Sequence, residues 1–236
     1  MLRYVFTRPE SGKLLRKAFI DEVWKIGIKS LSLVAILSVF MGAVIMIQTA
    51  SNIDSPWIPK YTIGFTARQS IILEFSSSML CLILAGKVGS NITSEIGTMR
   101  LTEQIDALEV MGINSLNYLV LPKILASIFI FPFIVLLSMA MGLAGGGFLA
   151  VSTGIVNLQE LLYGLQYWFE PFSITYSLFK TVFFAFFIAA IPAFYGYYVR
   201  PSGGALEVGS AGTRSVVVTS VVILLLNLLI TYFLLL

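Results

Sequence analysis

Apolar residues run along this chain in blocks too long for strands and too continuous for the helices of a water-soluble domain. A spanning helix needs about 20 mostly apolar residues. By that length the chain divides into five segments, roughly 30–50, 69–89, 116–150, 172–199 and 215–236. The third is too long for one simple crossing and contains Pro122, Pro132 and the run Gly142-Leu-Ala-Gly-Gly-Gly147. It is either one long kinked helix or a helix plus a re-entrant turn, so six spans stay open beside five. The predicted class is an all-α polytopic membrane protein.

Two stretches break the apolar pattern. In the arm, residues 1–29, Leu15, Phe19, Val23 and Ile26 share one helical face, and Lys13, Lys17, Asp21 and Lys25 share another. That amphipathic spacing suits a helix lying in the membrane interface, with a solvated arm as the alternative. No cleavable signal is expected, because the first apolar run begins only near Ile28 and more spans follow it. The second stretch, Asn91 to Gly112, holds four of the twelve acidic residues and directs Glu95, Arg100, Glu103, Asp106 and Glu109 to water. Its helical phase changes near Arg100: Ile92 and Ile96 share one face, Leu101, Ile105 and Leu108 another, with Gly97 between them. Two short helices or one bent helix fit this better than a straight rod. Gly112 suits a C-terminal cap, and Asn114 and Pro122 mark the return to the membrane.

Composition narrows the function classes. Of 236 residues, 58% are hydrophobic and 11% charged, against about 25% charged in soluble domains. A net charge of +3, with no basic stripe interleaved with aromatics, argues against nucleic acid. The chain has no histidine, which rules out Ser-His-Asp and Cys-His triads, HExxH zinc sites and histidine proton switches. Its single cysteine, Cys81, allows no intrachain disulfide and no cysteine-rich metal site. Neither Gly12-Lys13-Leu14 nor Gly86-Lys87-Val88 completes a phosphate-binding loop, so any ATP that drives this protein binds to another subunit.

Lysine and arginine placement predicts orientation. Arg3, Arg8, Lys13, Arg16, Lys17, Lys25 and Lys29 lie in the arm, Lys87, Arg100 and Lys123 in or beside the polar block, and Arg200 and Arg214 before the last span. The opposite loops offer Lys60 and Arg68. The arm and the polar block are therefore expected in the cytoplasm, with residue 236 outside after an odd number of crossings.

The run from Leu84 to Gly112, LAGKVGSNITSEIGTMRLTEQIDALEVMG, resembles the signature of the MlaE (YrbE-type) permeases. Weaker support comes from Val39-Phe-Met-Gly-Ala-Val-Ile-Met-Ile-Gln48 and Gly212-Thr-Arg-Ser-Val-Val-Val218. The family's members are membrane subunits of bacterial ABC transporters that move phospholipids between the inner membrane and the outer envelope. The resemblance implies a permease domain over residues 30–236 and a multi-pass inner-membrane homodimer of five-span subunits. It implies a cytoplasmic ATPase that binds ATP and Mg, a periplasmic MCE-domain partner, and no cofactor in this chain. It makes residues 91–111 a coupling helix in which Glu95, Gly97, Met99, Arg100, Thr102, Glu103 and Gln104 lie in or beside the segment seated on the ATPase. Against that stands ordinary intrahelical pairing of Arg100 with Glu103.

Charges inside the apolar segments form a second candidate group, a substrate pathway of Glu74, Lys180 and Arg214 with Gln48 near the end of the first span. An isolated charge near the bilayer centre costs about 2.5–3.5 kcal/mol, so such residues pair or line wet cavities. A Glu74–Lys180 bridge that only fixes helix packing, and an Arg214 that snorkels, are the plainer alternatives. Where many MlaE relatives have Arg-Glu-Leu-Gly-Pro, this chain has Leu73-Glu-Phe-Ser-Ser77, losing the arginine and the Gly-Pro kink. Asn227 stands where the resemblance predicts an acid. Ser76, Ser77 and Ser78 either replace the lost groups or mediate helix packing. Gly142 and Gly146 permit a close helix contact, within the subunit or across a dimer. Trp57, Tyr61, Tyr163, Tyr167 and Trp168 suit an aromatic belt on the outer side. The rival classes are a stand-alone secondary transporter, for which no internal repeat is found, and an intramembrane lipid-modifying enzyme, for which Glu74 alone is too little.

Overall fold

The computed structural model describes residues 5, 12–53 and 57–235; Arg3, Arg8 and Leu236 lie outside them. Among the described residues every regular element is helical and there is no strand. We label the continuous helical runs α1 (Gly12–Asn52), α2 (Tyr61–Leu101), α3 (Gln104–Val110), α4 (Ser115–Ser152), α5 (Leu158–Gln166), α6 (Phe172–Tyr197) and α7 (Gly204–Leu235). Five of these, α1, α2, α4, α6 and α7, are long and apolar enough to cross a membrane. In lipid only a helix satisfies its own backbone, which is why apolar length was a sound guide to the spans.

The boundaries differ from the sequence expectation in informative ways. The amphipathic segment Gly12–Glu22 passes through a π-helical stretch, Val23–Ile28, directly into the first apolar helix. The second span starts at Tyr61, ahead of residue 69, and continues through the polar residues to Leu101. Hydropathy marks where lipid ends, whereas backbone hydrogen bonding carries a helix on into polar sequence. The third apolar segment is one 38-residue helix that runs through both prolines. The last helix starts at Gly204, eleven residues before the expected 215, which puts Arg214 inside it.

The chain divides into two compact units. One comprises Met1–Lys29, Cys81–Phe131 and Val182–Leu236, the other Ser30–Leu80 and Pro132–Thr181. In the second unit, small residues bring α1 against α4. A Cβ on Gly42 would collide with the carbonyl of Gly142, and one on Gly146 would lie 2.7 Å from the carbonyl oxygen of Gly42. The Gly142/Gly146 pair therefore makes a contact within the subunit. Ser38 donates to Ser138 at 2.8 Å, and Ser138 to Ser76 at 3.3 Å, stitching α1, α4 and α2 together. Packing of this kind replaces the hydrophobic driving force that helices lack in lipid.

The helix α5 folds back onto the start of α2. Its N-terminus carries a capping box of Asn157 and Glu160, and Gly164 presses on the carbonyl of Tyr61. The buried Arg68 guanidinium donates to the carbonyls of Leu165, Tyr167 and Trp168 at 2.7, 3.1 and 3.2 Å, closing the C-terminal end of α5. Tyr61, Tyr163 and Tyr167 pack with ring centroids 5.1–5.7 Å apart. Gly42→Leu should lower the stability of the detergent-solubilised protein by about 1–3 kcal/mol through overpacking, read as an earlier thermal unfolding transition. An unchanged transition would remove the Gly42–Gly142 contact as a stabilising feature.

Candidate functional site: a bent polar helix and its charged supports

The site lies in the first unit, at the polar end of α2. The α2 helix ends where Glu103 leaves the helical backbone, its N–H falling back on the Arg100 carbonyl at 3.2 Å, while Thr102 still makes the last helical bond. The Thr102 N–H donates to the Thr98 carbonyl at 3.0 Å, and its hydroxyl donates to the same oxygen at 2.9 Å. Glu103 then takes a left-handed backbone conformation, φ 59°, which a non-glycine residue adopts at a cost. The chain re-enters a helix at Gln104 and leaves it at Gly112, φ 80°. The Gly112 and Ile113 N–H groups close that end on the carbonyls of Glu109 and Leu108 at 2.9 and 3.0 Å. The two short helices and the Gly112 cap inferred from the change of phase are thus what this segment forms.

Small residues weld the polar end of α2 to α6 and α7. A Cβ on Gly97 would lie 3.1 Å from Val208, and one on Gly196 would lie 2.8 Å from the Thr93 carbonyl oxygen. Thr93 donates to the carbonyl of Pro192 at 3.1 Å and shares a 2.8 Å hydrogen bond with Ser215. A proline inside a helix frees the carbonyl one turn earlier; the Thr93 hydroxyl bonds instead the carbonyl of Pro192 itself. Gly97 therefore serves close packing within the chain itself.

A four-membered charge cluster holds the other side. Lys123, from the head of α4, has 4% of its side chain exposed and donates to Glu22 at 2.7 Å. It also bonds to Glu95. Lys25 reaches Glu95 at 2.8 Å and Glu22 at 3.6 Å. Two ammonium groups and two carboxylates thus tie α1, α2 and α4 together. Glu95 is committed to this cluster and does not point freely to solvent.

The tip beyond has its own lock. Arg100 bonds Asp106 at 2.5 Å and lies 5.9 Å over the ring of Tyr197. The left-handed turn at Glu103 breaks the helical register that would have aligned an i,i+3 pair, so Arg100 finds Asp106 across the bend. Tyr197 and Ser115 donate to the Glu109 carboxylate at 2.7 and 2.9 Å. These hydroxyls, Tyr197 foremost, hold the Glu109 carboxyl below its ordinary value.

What faces outward is therefore a subset of the expected residues. Thr102, Glu103 and Gln104 are exposed, while Met99 and Arg100 are half-buried. Beside them Val110 is 88% and Met111 65% exposed, making an apolar knob that the sequence analysis did not single out. The available signal was the pair's position immediately before the Gly112 cap, inside an otherwise polar block.

The second candidate group lies in the other unit. Lys180, fully buried, donates to Glu74 at 3.2 Å and sits 4.7 Å over the ring of Tyr176. Glu74 keeps 48% of its side chain exposed, so the carboxylate both neutralises the lysine and faces outward. It lies within the π-helical stretch Ile71–Met79. Gln48 and Arg214 are exposed, and neither shares this ion pair. Among the described residues there is no group of three or more histidine, cysteine or acidic side chains fit to hold a metal ion.

These features define a class, a polytopic α-helical membrane protein whose second span ends in a bent, braced polar tip. The chain matches the family model for the MlaE permease over residues 19–233 and belongs to that family. It is 37% identical to a probable ABC transporter permease protein of Rickettsia bellii, over 90% of this chain and 81% of that protein. It is 30% identical to a probable ABC transporter permease protein of Synechocystis, over 97% and 86%. It is 28% identical to the intermembrane phospholipid transport system permease protein MlaE of Haemophilus influenzae, over 92% and 84%. Family and relatives together support an ABC-type permease subunit.

Lys123→Met removes the cation from two carboxylates. It should destabilise the solubilised protein by about 3–5 kcal/mol, and adding Glu22→Gln and Glu95→Gln should restore most of the loss in the same thermal melt. A triple variant no more stable than the single one would mean that packing, and not charge compensation, governs this position.

Proposed function

We propose that this chain is the permease subunit of an ABC transporter that moves phospholipid between the inner membrane and the outer envelope of a bacterium. A separate cytoplasmic ATPase binds ATP and Mg, the permease works as a homodimer, and an MCE-domain protein receives or delivers lipid on the periplasmic side. The observation that carries the proposal is the tip after α2: an exposed Thr102-Glu103-Gln104 turn and the Val110–Met111 knob, braced from behind by fixed charges. A surface held rigid by its own chain, and apolar at its apex, suits docking. The basic residues around it favour the cytoplasm. The named function of the Haemophilus protein supports phospholipid as cargo.

The homodimer follows from the family resemblance; α7, of whose most apolar stretch only 11% is buried within one chain, faces either lipid or a second copy. In this proposal the outward carboxylate of Glu74, with Lys180 behind it, meets the polar part of the lipid.

Affinity purification in mild detergent, with mass spectrometry of bound proteins and lipids, tests the assembly. The wild-type chain should retain an ABC ATPase, an MCE protein and phospholipid. Glu103→Arg with Met111→Glu should reduce ATPase recovery about tenfold while lipid and the MCE protein stay; undiminished ATPase recovery would sink the docking assignment.

In the reconstituted complex, Glu74→Ala should slow ATP-driven lipid transfer about tenfold, or ~1.4 kcal/mol in barrier, with assembly intact. Transfer at the wild-type rate would refute a role for this carboxylate.

A further inference from the structure

At the polar end of α6 and α7 the first unit contains a pocket of about 450 Å³ that neither the docking tip nor the Glu74–Lys180 pair uses. Its polar lining is Tyr195, Tyr198, Arg200, Glu207, Ser210 and Arg214. Arg200, Glu207 and Arg214 form no ion pair with one another or with any other described residue. Arg200 and Arg214 are exposed and Glu207 half-buried, so groups of both signs line the cavity and are open to a ligand. A guanidinium is the side chain best matched to phosphate oxygens, because it offers a planar fork of N–H donors.

We propose that this pocket binds the headgroup of a zwitterionic, amine-bearing phospholipid, with the phosphate on Arg200 and Arg214 and the ammonium on Glu207. The proposal rests on the phospholipid permease function above and names a cargo headgroup for it. The shared chemistry is a phosphodiester with a primary amine, and the surroundings point to a lipid as its source. Phe194 and Tyr198, 46% and 57% exposed, stand at the pocket's rim where acyl chains would leave it. Amphipathic phenols such as those of Tyr195 and Tyr198 suit the headgroup level of a bilayer. The volume falls within the range of small-molecule sites.

The pocket also adjoins the braced tip. Val199 and Ala211 line it, and together with Val208 they form the apolar cluster against which Leu101, the last residue of α2, packs. A bound headgroup thus shares a wall with the helix end that precedes the docking turn.

The test uses the complex purified in a phosphate-free maltoside detergent and a phosphatidylethanolamine carrying a diazirine near its glycerol. After illumination, labelled peptides should include residues 194–214. Arg200→Gln with Arg214→Gln should lower that labelling about tenfold or more, with labelling elsewhere and ATPase retention unchanged. A diacylglycerol carrying the same diazirine should leave residues 194–214 unlabelled.

Glu207→Gln should reduce phosphatidylethanolamine labelling to the level of the matching phosphatidylglycerol. A change in that ratio is something a merely structural role for Glu207 would not produce. Unlabelled 194–214 peptides, labelling insensitive to the double arginine variant, or equal labelling by diacylglycerol would each overturn the site. Displacement of the lipid probe by millimolar inorganic phosphate would overturn the lipid source and assign a soluble phosphate ligand. ATP-driven lipid transfer measured on the same preparation separates the two readings: transfer without pocket labelling sinks the pocket alone, whereas labelling without transfer sinks the transport function alone.

Discussion

The arrangement around the proposed docking tip depends on a buried ammonium group. Lys123 is sealed from water, and a charge so placed is tolerated only with its counter-charges in hand. Glu22 and Glu95 supply them, and Lys25 keeps the cluster neutral overall. The net stabilisation from such a cluster is small compared with that of a well-packed apolar replacement. Its consequence is register. If α1, α2 or α4 slid by a turn relative to the other two, a charge would be stranded, so the cluster selects one alignment among several that apolar packing alone would accept. The segment beyond Glu95, with the left-handed turn at Glu103, continues from that alignment and is held further by the Gly97 packing and the Arg100–Asp106 pair.

Small residues act as the complementary device. Apolar side chains gain little by leaving lipid for another helix, so association relies on close backbone approach and hydrogen bonds. Gly42 against Gly142, and Gly97 and Gly196 around the end of α2, provide the first. The Ser38–Ser138–Ser76 chain and the Thr93 bonds to Pro192 and Ser215 provide the second. Both units use the same two means, one to pack α1 on α4 and the other to hold α2 against α6 and α7.

What the sequence disclosed, and what it withheld, follows from these interactions. The five spans were legible because a segment of about 20 apolar residues can satisfy its own backbone in lipid only as a helix. Glu74 and Lys180 were legible as partners because a buried lysine demands one. Helix ends were not legible: α2 and α7 extend through polar residues whose side chains find partners inside the protein, such as Thr93 and Ser215, and hydropathy does not register such pairings. Lys123 was noticed only as a marker of topology, since its partners Glu22 and Glu95 lie 101 and 28 residues away. The Arg100–Asp106 pair was hidden for a different reason: the helical spacing rule fails where Glu103 reverses the backbone.

The continuity of α2 bears on how the proposed transporter would work. One helical run carries Glu74, the Thr93 tie and the turn into the proposed docking tip. That run is not uniform. It is π-wound over Ile71–Met79 and again over Ala85–Gly89, and π-helical geometry is rare and concentrated at functional sites. A straight α-helix transmits displacement along its axis with little change of shape, whereas a π-wound stretch can migrate or rewind at small cost. Glu74 lies inside the first such stretch.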